Sequence, residues 1–200
     1  MGRLILVTGG ARSGKSAFAE RLAQSLGGDR VLFVATAEAR DEDMTRRIAA
    51  HRLSRPAAWL TEEAPRDVGR RLVAALGESR VAVVDCLTLL VSNTILTLGE
   101  SPGQAEAESL VGGEIDGLIE ACDATNATMI IVSNEVGLGL VPMNTLGRVF
   151  RDALGRANQT LAARAESVYA LMAGIPIDLK QIVARIDANQ RSKGIAGRSE

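Results

Sequence analysis

Eight residues, Gly9-Gly10-Ala11-Arg12-Ser13-Gly14-Lys15-Ser16, spell G-x-x-x-x-G-K-[ST] directly after the apolar run Leu4-Ile5-Leu6-Val7. A stretch with helical spacing, Ser16–Leu26, follows at once. Strand, glycine-rich turn and helix in that order are the context in which this motif forms a phosphate-binding loop. Glycines let successive backbone N–H groups converge on phosphate oxygens. The helix that opens near Gly14 adds the positive end of its dipole. Lys15 brings a point charge to the β- and γ-phosphates, and the Ser16 hydroxyl is a ligand for Mg²⁺. The loop therefore predicts a nucleoside triphosphate.

The remaining apolar runs point to a sheet. Val31–Ala35, Val81–Val84, Met129–Val132 and Val168–Met172 are short, rich in β-branched residues and without polar alternation. Strands buried on both faces of a parallel sheet read this way. Helical stretches lie between them: Asp41–His51, Arg66–Leu76, Thr88–Thr97, Glu106–Ala121 and Thr145–Ala165. Alternating strands and helices predict an α/β fold of the phosphate-loop type, a doubly wound, mostly parallel sheet with helices on both faces. The 200 residues suffice for one such domain. It is expected over 1–180, with a short, partly disordered extension over 181–200.

Composition narrows the function classes. A formal net charge of −1 gives no long-range field for nucleic acid or an anionic membrane, and aromatic platforms for bases are scarce. No apolar run reaches the length of a membrane span, and the chain enters its first strand without a secretory leader. Cys86 and Cys122 fit no metal spacing and read as small buried residues of a reducing, cytoplasmic compartment.

Several clusters carry potential chemistry. Asp85 closes the run Val81–Val84, so its carboxylate falls at the sheet's C-terminal edge, where it can hold Mg²⁺ directly or through water. His51 is the single histidine. It shares a helix face with Met44 and Ile48, which suits a packed or capping imidazole. Arg52 and Arg55 beside it suit a nucleophile that attacks phosphorus. Glu42–Arg46 and Asp43–Arg47 are i,i+4 pairs of a solvated face. Trp59 reads as core, and in Trp59-Leu60-Thr61-Glu62-Glu63 either acid can accept from a ribose or purine edge. Ser133-Asn134-Glu135-Val136-Gly137 follows a strand end, where open α/β sheets bind ligands or simply cap a turn. Arg148, Arg151 and Asp152 form a polar stripe on one helix, with Asn158 and Gln159 further along.

Taken together, these residues resemble the bifunctional adenosylcobinamide kinase / adenosylcobinamide-phosphate guanylyltransferase family. The resemblance runs from Ile5 to about Lys180 through V-T-G-G-A-R-S-G-K-S (Val7–Ser16), A-T-A (Ala35–Ala37), R-I-x-x-H-R-x-x-R-P (Arg47–Pro56), W-x-T-x-E (Trp59–Glu63), V-D-C-L-T (Val84–Thr88), S-N-E-V-G-x-G-x-V-P (Ser133–Pro142) and F-R-D-x-x-G-x-x-N-Q (Phe150–Gln159). It implies two reactions on one scaffold. ATP or GTP phosphorylates the hydroxyl of a corrinoid, adenosylcobinamide, and GMP is then moved from GTP through a guanylyl-histidine to the new phosphate. The matching histidine is His51, with Lys15 as its catalytic companion in the phosphate loop. The nucleotide contacts implied are Gly9, Gly10, Ala11, Arg12, Ser13, Gly14, Lys15 and Ser16, then Ala35, Thr36, Ala37, Arg52, Leu53, Ser54, Arg55, Glu63 and Asp85. Ser16 and Asp85 would hold Mg²⁺. A homotrimer is also implied. Two other readings compete: a small-molecule kinase in which His51 is structural, and a nucleotide-dependent switch without catalysis on a small molecule.

Overall fold

The computed structural model describes residues 2–38, 42, 45, 46, 52 and 55–182. Its sheet contains β1 (Arg3–Gly9), β2 (Val31–Ala35), β3 (Leu60–Glu63), β4 (Val81–Asp85), β5 (Thr128–Val132), β6 (Ser167–Met172) and β7 (Ile175–Asp178). The helices are α1 (Lys15–Gly27), α2 (Val68–Ala75), α3 (Leu87–Leu96), α4 (Gln104–Ala124) and α5 (Thr145–Arg164). The strand order is β3-β2-β4-β5-β1-β6-β7. Every pair is parallel except β6 with β7. The five apolar runs are all strands, and the doubly wound α/β reading holds.

Alternation along each strand divides the core. Ile5, Val7, Phe33, Val83, Ile130 and Val132 pack with Ala19 and Ala23 of α1 on one face. Leu4, Leu6, Val34, Val84, Met129 and Ile131 pack with residues of α2, α3, α4 and α5 on the other. Successive strand side chains point to opposite faces, so continuous apolar runs are required where both faces are covered.

Two strands were not expected. β3 is an edge strand with half-exposed and exposed positions, and Thr61, Glu62 and Glu63 carry no apolar run. β7 is the opposite edge, where Pro176 is tolerated because edge strands need not donate on both sides. A two-residue turn, Ala173 (φ 50°) and Gly174 (φ 83°), joins it to β6. Two positive φ angles define the turn that matches strand twist in a tight hairpin. Helix α4 also begins earlier than expected, at Gln104. Of the expected helix Asp41–His51, only Glu42, Thr45 and Arg46 are described, and each is helical. Within the expected extension 181–200, Gln181 and Ile182 complete a helical turn and 183–200 lie outside the described residues. No helix among the described residues is long and apolar enough to cross a membrane.

Helices α2 and α4 meet at a glycine. A Cβ on Gly69 would lie 2.1 Å from the carbonyl oxygen of Gly117 and 3.0 Å from the Leu118 nitrogen. Both atoms are helix backbone, so relief requires the helices to separate. Gly69→Ala should lower stability by about 2–3 kcal/mol and Tm by roughly 5–10 °C. A thermal melt within about 1 °C of the wild type would contradict this packing.

Candidate active site

The β1–α1 loop is shaped by close approach. A Cβ at Gly9 (φ 156°) would lie 2.6 Å from the Leu171 carbonyl oxygen and 2.7 Å from Ser13 Oγ. Gly14 (φ 90°) is the N-cap of α1 and offers no side-chain cap, and no acid lies in the first turn. The leading N–H groups of α1 therefore face a cavity of about 200 Å³ lined by residues 12–17. An uncapped, acid-free helix start is a site for an anion. The β6–β7 turn supports the loop from behind: the Gly174 N–H donates to the Ser13 carbonyl at 3.0 Å. The unexpected hairpin thus holds the expected loop.

Lys15 Nζ donates to the Gly10 carbonyl at 3.1 Å. Burial lowers the pKa of its ammonium, and the Asp85 carboxylate opposes that shift. Lys15 and Asp85 are thus brought into one electrostatic neighbourhood from β1–α1 and β4. Asp85 is paired in register with Ala35 of β2 and Val132 of β5. Beside it, burial pushes the Cys86 thiol up to about 11, so it is neutral and non-nucleophilic at pH 7.

Thr36 braces the Asp85 turn and is fully buried. Its hydroxyl donates to the Cys86 carbonyl at 2.7 Å and accepts from the Cys86 N–H at 2.8 Å. Its own N–H donates to the Asp85 carbonyl at 3.1 Å. Asn93 Nδ2 donates to the Thr36 carbonyl at 2.8 Å and the Pro65 carbonyl at 3.1 Å. Asn93 was missed from sequence; its one signal was an amide inside the apolar segment of α3. Ala35 closes β2, and Ala37 lies just beyond, half-buried.

The basic segment reaches the same edge. The Arg55 guanidinium lies 3.4 Å over the Phe33 ring centroid. Burial lowers its pKa, while Glu20 and Asp85 oppose that shift. Arg52 Nη1 lies 3.7 Å from Glu63 Oε1. Glu62 is engaged by Arg71 of α2 at 2.6 Å. Trp59 is core, 7% exposed, and its indole N–H donates to the Gly28 carbonyl at 3.1 Å. His51, Leu53 and Ser54 lie outside the described residues.

The segment after β5 is anchored on both sides. Ser133 and Glu135 donate backbone N–H groups to the carbonyls of Val7 and Gly9. Ser133 Oγ donates to Asn158 Oδ1 at 2.6 Å, and Asn158 Nδ2 returns to the Asn134 carbonyl at 3.1 Å. Thr88 Oγ1 accepts from the Asn134 N–H at 3.0 Å. Arg148 of the polar stripe holds the carbonyls of Pro142 and Met143, while Arg151 pairs with Asp152 at 3.5 Å.

A doubly wound, mostly parallel α/β sheet carries the G-x-x-x-x-G-K-S sequence at the end of β1 and a carboxylate at the end of β4. Residues 5–179 match the family described as cobinamide kinase / cobinamide phosphate guanyltransferase, and the chain belongs to it. The bifunctional adenosylcobalamin biosynthesis protein CobU of Salmonella typhimurium is 42% identical over 184 residues, covering 88% of this chain and 99% of that one. CobU of Escherichia coli is 40% identical over 184 residues, with the same coverage. The bifunctional adenosylcobalamin biosynthesis protein CobP of Pseudomonas aeruginosa is 42% identical over 175 residues, covering 88% of this chain and 96% of that one.

Proposed function

We propose that the chain phosphorylates adenosylcobinamide with ATP or GTP and then guanylylates the product with GTP. The observation that supports this reading is the uncapped, acid-free start of α1 with Lys15 in the electrostatic neighbourhood of Asp85, in a chain that matches its family over 5–179. In the first reaction the corrinoid alcohol oxygen bonds to the γ-phosphorus and a nucleoside diphosphate leaves. Phosphoryl transfer needs little covalent help, so positioning and neutralisation of charge suffice. The N–H groups of residues 9–16 cradle the phosphates, and Lys15 neutralises charge on the transferred group.

In the second reaction an imidazole nitrogen of His51 bonds to the α-phosphorus of GTP and pyrophosphate leaves. The corrinoid phosphate then takes the guanylyl group, forming adenosylcobinamide-GDP and freeing His51. Two displacements through a covalent intermediate replace one difficult attack by a weak phosphate nucleophile. Arg52, Leu53, Ser54, Arg55 and Glu63 would bind GTP beside His51, with Ala35 and Ala37 at the end of β2. Thr36 would contribute by fixing the Asp85 turn, since its polar groups are engaged there.

Ser16 and Asp85 are the residues that would hold Mg²⁺. Such an ion keeps several waters and leans on substrate phosphates, so one carboxylate and one hydroxyl suit it. It would neutralise phosphate charge when bound. A homotrimer in the cytoplasm completes the reading.

The test is product analysis by mass spectrometry. With adenosylcobinamide, Mg²⁺ and ATP alone, the purified chain should give the corrinoid phosphate and stop. With GTP added, it should give adenosylcobinamide-GDP and pyrophosphate. A folded chain that leaves the corrinoid unchanged in both mixtures overturns the reading.

A further inference from the structure

We infer that Asn134 holds the acceptor alcohol of the phosphorylation step, through a hydrogen bond from the alcohol O–H to its side-chain carbonyl. The inference rests on the reading of the β1–α1 loop as a triphosphate site. It begins with topology. β5 lies between β1, which leads into the phosphate loop, and β4, which ends in Asp85. The ladder between β1 and β5 continues past Val132, because Ser133 and Glu135 donate to Val7 and Gly9. Asn134 therefore stands level with Gly9, between the loop and the Asp85 carboxylate.

Alternation then sets its direction. Val132 packs on the α1 face of the sheet. Ser133 turns the other way, where it donates to Asn158 of α5. Opposite parity at the next residue directs Asn134 towards the α1 face, the side of Lys15, before the chain leaves the ladder and Val136 packs against the other face. Asp85 follows the same rule, two residues beyond Val83, which also packs on the α1 face.

The side chain is built as an acceptor awaiting a donor. Its backbone is fixed from two sides by Thr88 and Asn158. Its Oδ1 is buried and has no hydrogen-bond partner among the described residues. A buried amide oxygen without a partner destabilises the fold. Such an atom marks a site where a ligand completes the bonding. The phosphates of a triphosphate are acceptors and do not satisfy it. An O–H group does, and the reaction brings one to this place. The alcohol oxygen forms its bond to the γ-phosphorus as the bond to the β,γ-bridging oxygen breaks. The proton passes to a phosphoryl oxygen, because an amide carbonyl orients a donor and does not take its proton. Water bound to Mg²⁺ is the other O–H source at this edge, and the experiment separates the two.

The experiment compares wild type, Asn134→Ala and Ser133→Ala. It measures the unliganded Tm, phosphorylation of adenosylcobinamide by ATP, its Mg²⁺ midpoint, and covalent label taken from GTP. Removing an unpartnered oxygen breaks no bond, so Asn134→Ala should melt at or above the wild-type temperature. Its kcat for phosphorylation should fall about 10²-fold, as for a misplaced reactant, with label uptake and Mg²⁺ midpoint within about twofold. Ser133→Ala, which strips a donor from Asn158, should melt lower and keep its kcat within about threefold. A kcat for Asn134→Ala within about threefold of wild type overturns the inference. So does a Tm loss as large as that of Ser133→Ala, which would make the residue structural. A Mg²⁺ midpoint that rises in step with the loss overturns it in favour of metal-bound water. A wild type that phosphorylates no corrinoid sinks the functional reading itself, whereas an active wild type with an unimpaired Asn134→Ala sinks this inference alone.

Discussion

Lys15→Ala should slow phosphorylation of the corrinoid by about 10²–10³-fold in kcat while leaving the fold at least as stable as wild type. The two effects have one cause. The ammonium is drawn into a partly desolvated loop, where burial lowers its pKa from the ordinary value of 10.5. A desolvated charge acts strongly on a transferring phosphoryl group, because little water screens it. The same desolvation opposes folding. A lysine with a lowered folded pKa binds its proton more weakly in the native than in the unfolded chain. Stability therefore rises with pH as the medium passes from the folded pKa towards 10.5, and below that window the burden is fully present. Alanine removes the burden together with the charge. Steady-state kinetics and melts from pH 7 to about 10.5 check both halves. A destabilised Lys15→Ala, or one with wild-type kcat, would contradict the role given to this residue.

What the sequence disclosed follows from where each residue's partners lie. β1, β2, β4, β5 and β6 were legible because burial on both faces leaves only apolar choices. Asp85 was legible as the acid that ends an apolar run. β3 was hidden, since an edge strand with one exposed side carries polar residues such as Thr61 and Glu63. β7 was hidden by its length and by Pro176, yet its turn at Gly174 supports the phosphate loop. Thr36 shows the limit for site residues. The resemblance implied it as a nucleotide contact; the structure adds bonds to Cys86 and Asn93, 50 and 57 residues away. No local pattern encodes such a brace. The Glu62–Arg71 pair was likewise hidden, since only the packing of α2 against β3 brings the two near.

His51→Ala should separate the two reactions. Removal of a covalent nucleophile lowers its own step by about 10⁴-fold or more, as with nucleophile deletions in other enzymes. On the proposed reading the phosphorylation step uses the loop and Lys15 and needs no imidazole, so His51→Ala should keep it within about threefold. Corrinoid phosphate should accumulate in this variant even with GTP in excess. Loss of both reactions together would place His51 in the fold or in shared nucleotide binding.

The central claim is that one chain runs phosphoryl transfer at the loop and guanylyl transfer through a histidine. Label transfer from GTP tests it most directly, with α-labelled and γ-labelled nucleotide in parallel, Mg²⁺ present, on wild type and His51→Ala. The account predicts a covalent adduct on the wild type from the α label only, labile in acid and stable in base, and absent from His51→Ala. No adduct from either label, on a folded wild type that binds GTP, would contradict it and leave a chain that phosphorylates or switches without guanylyl transfer.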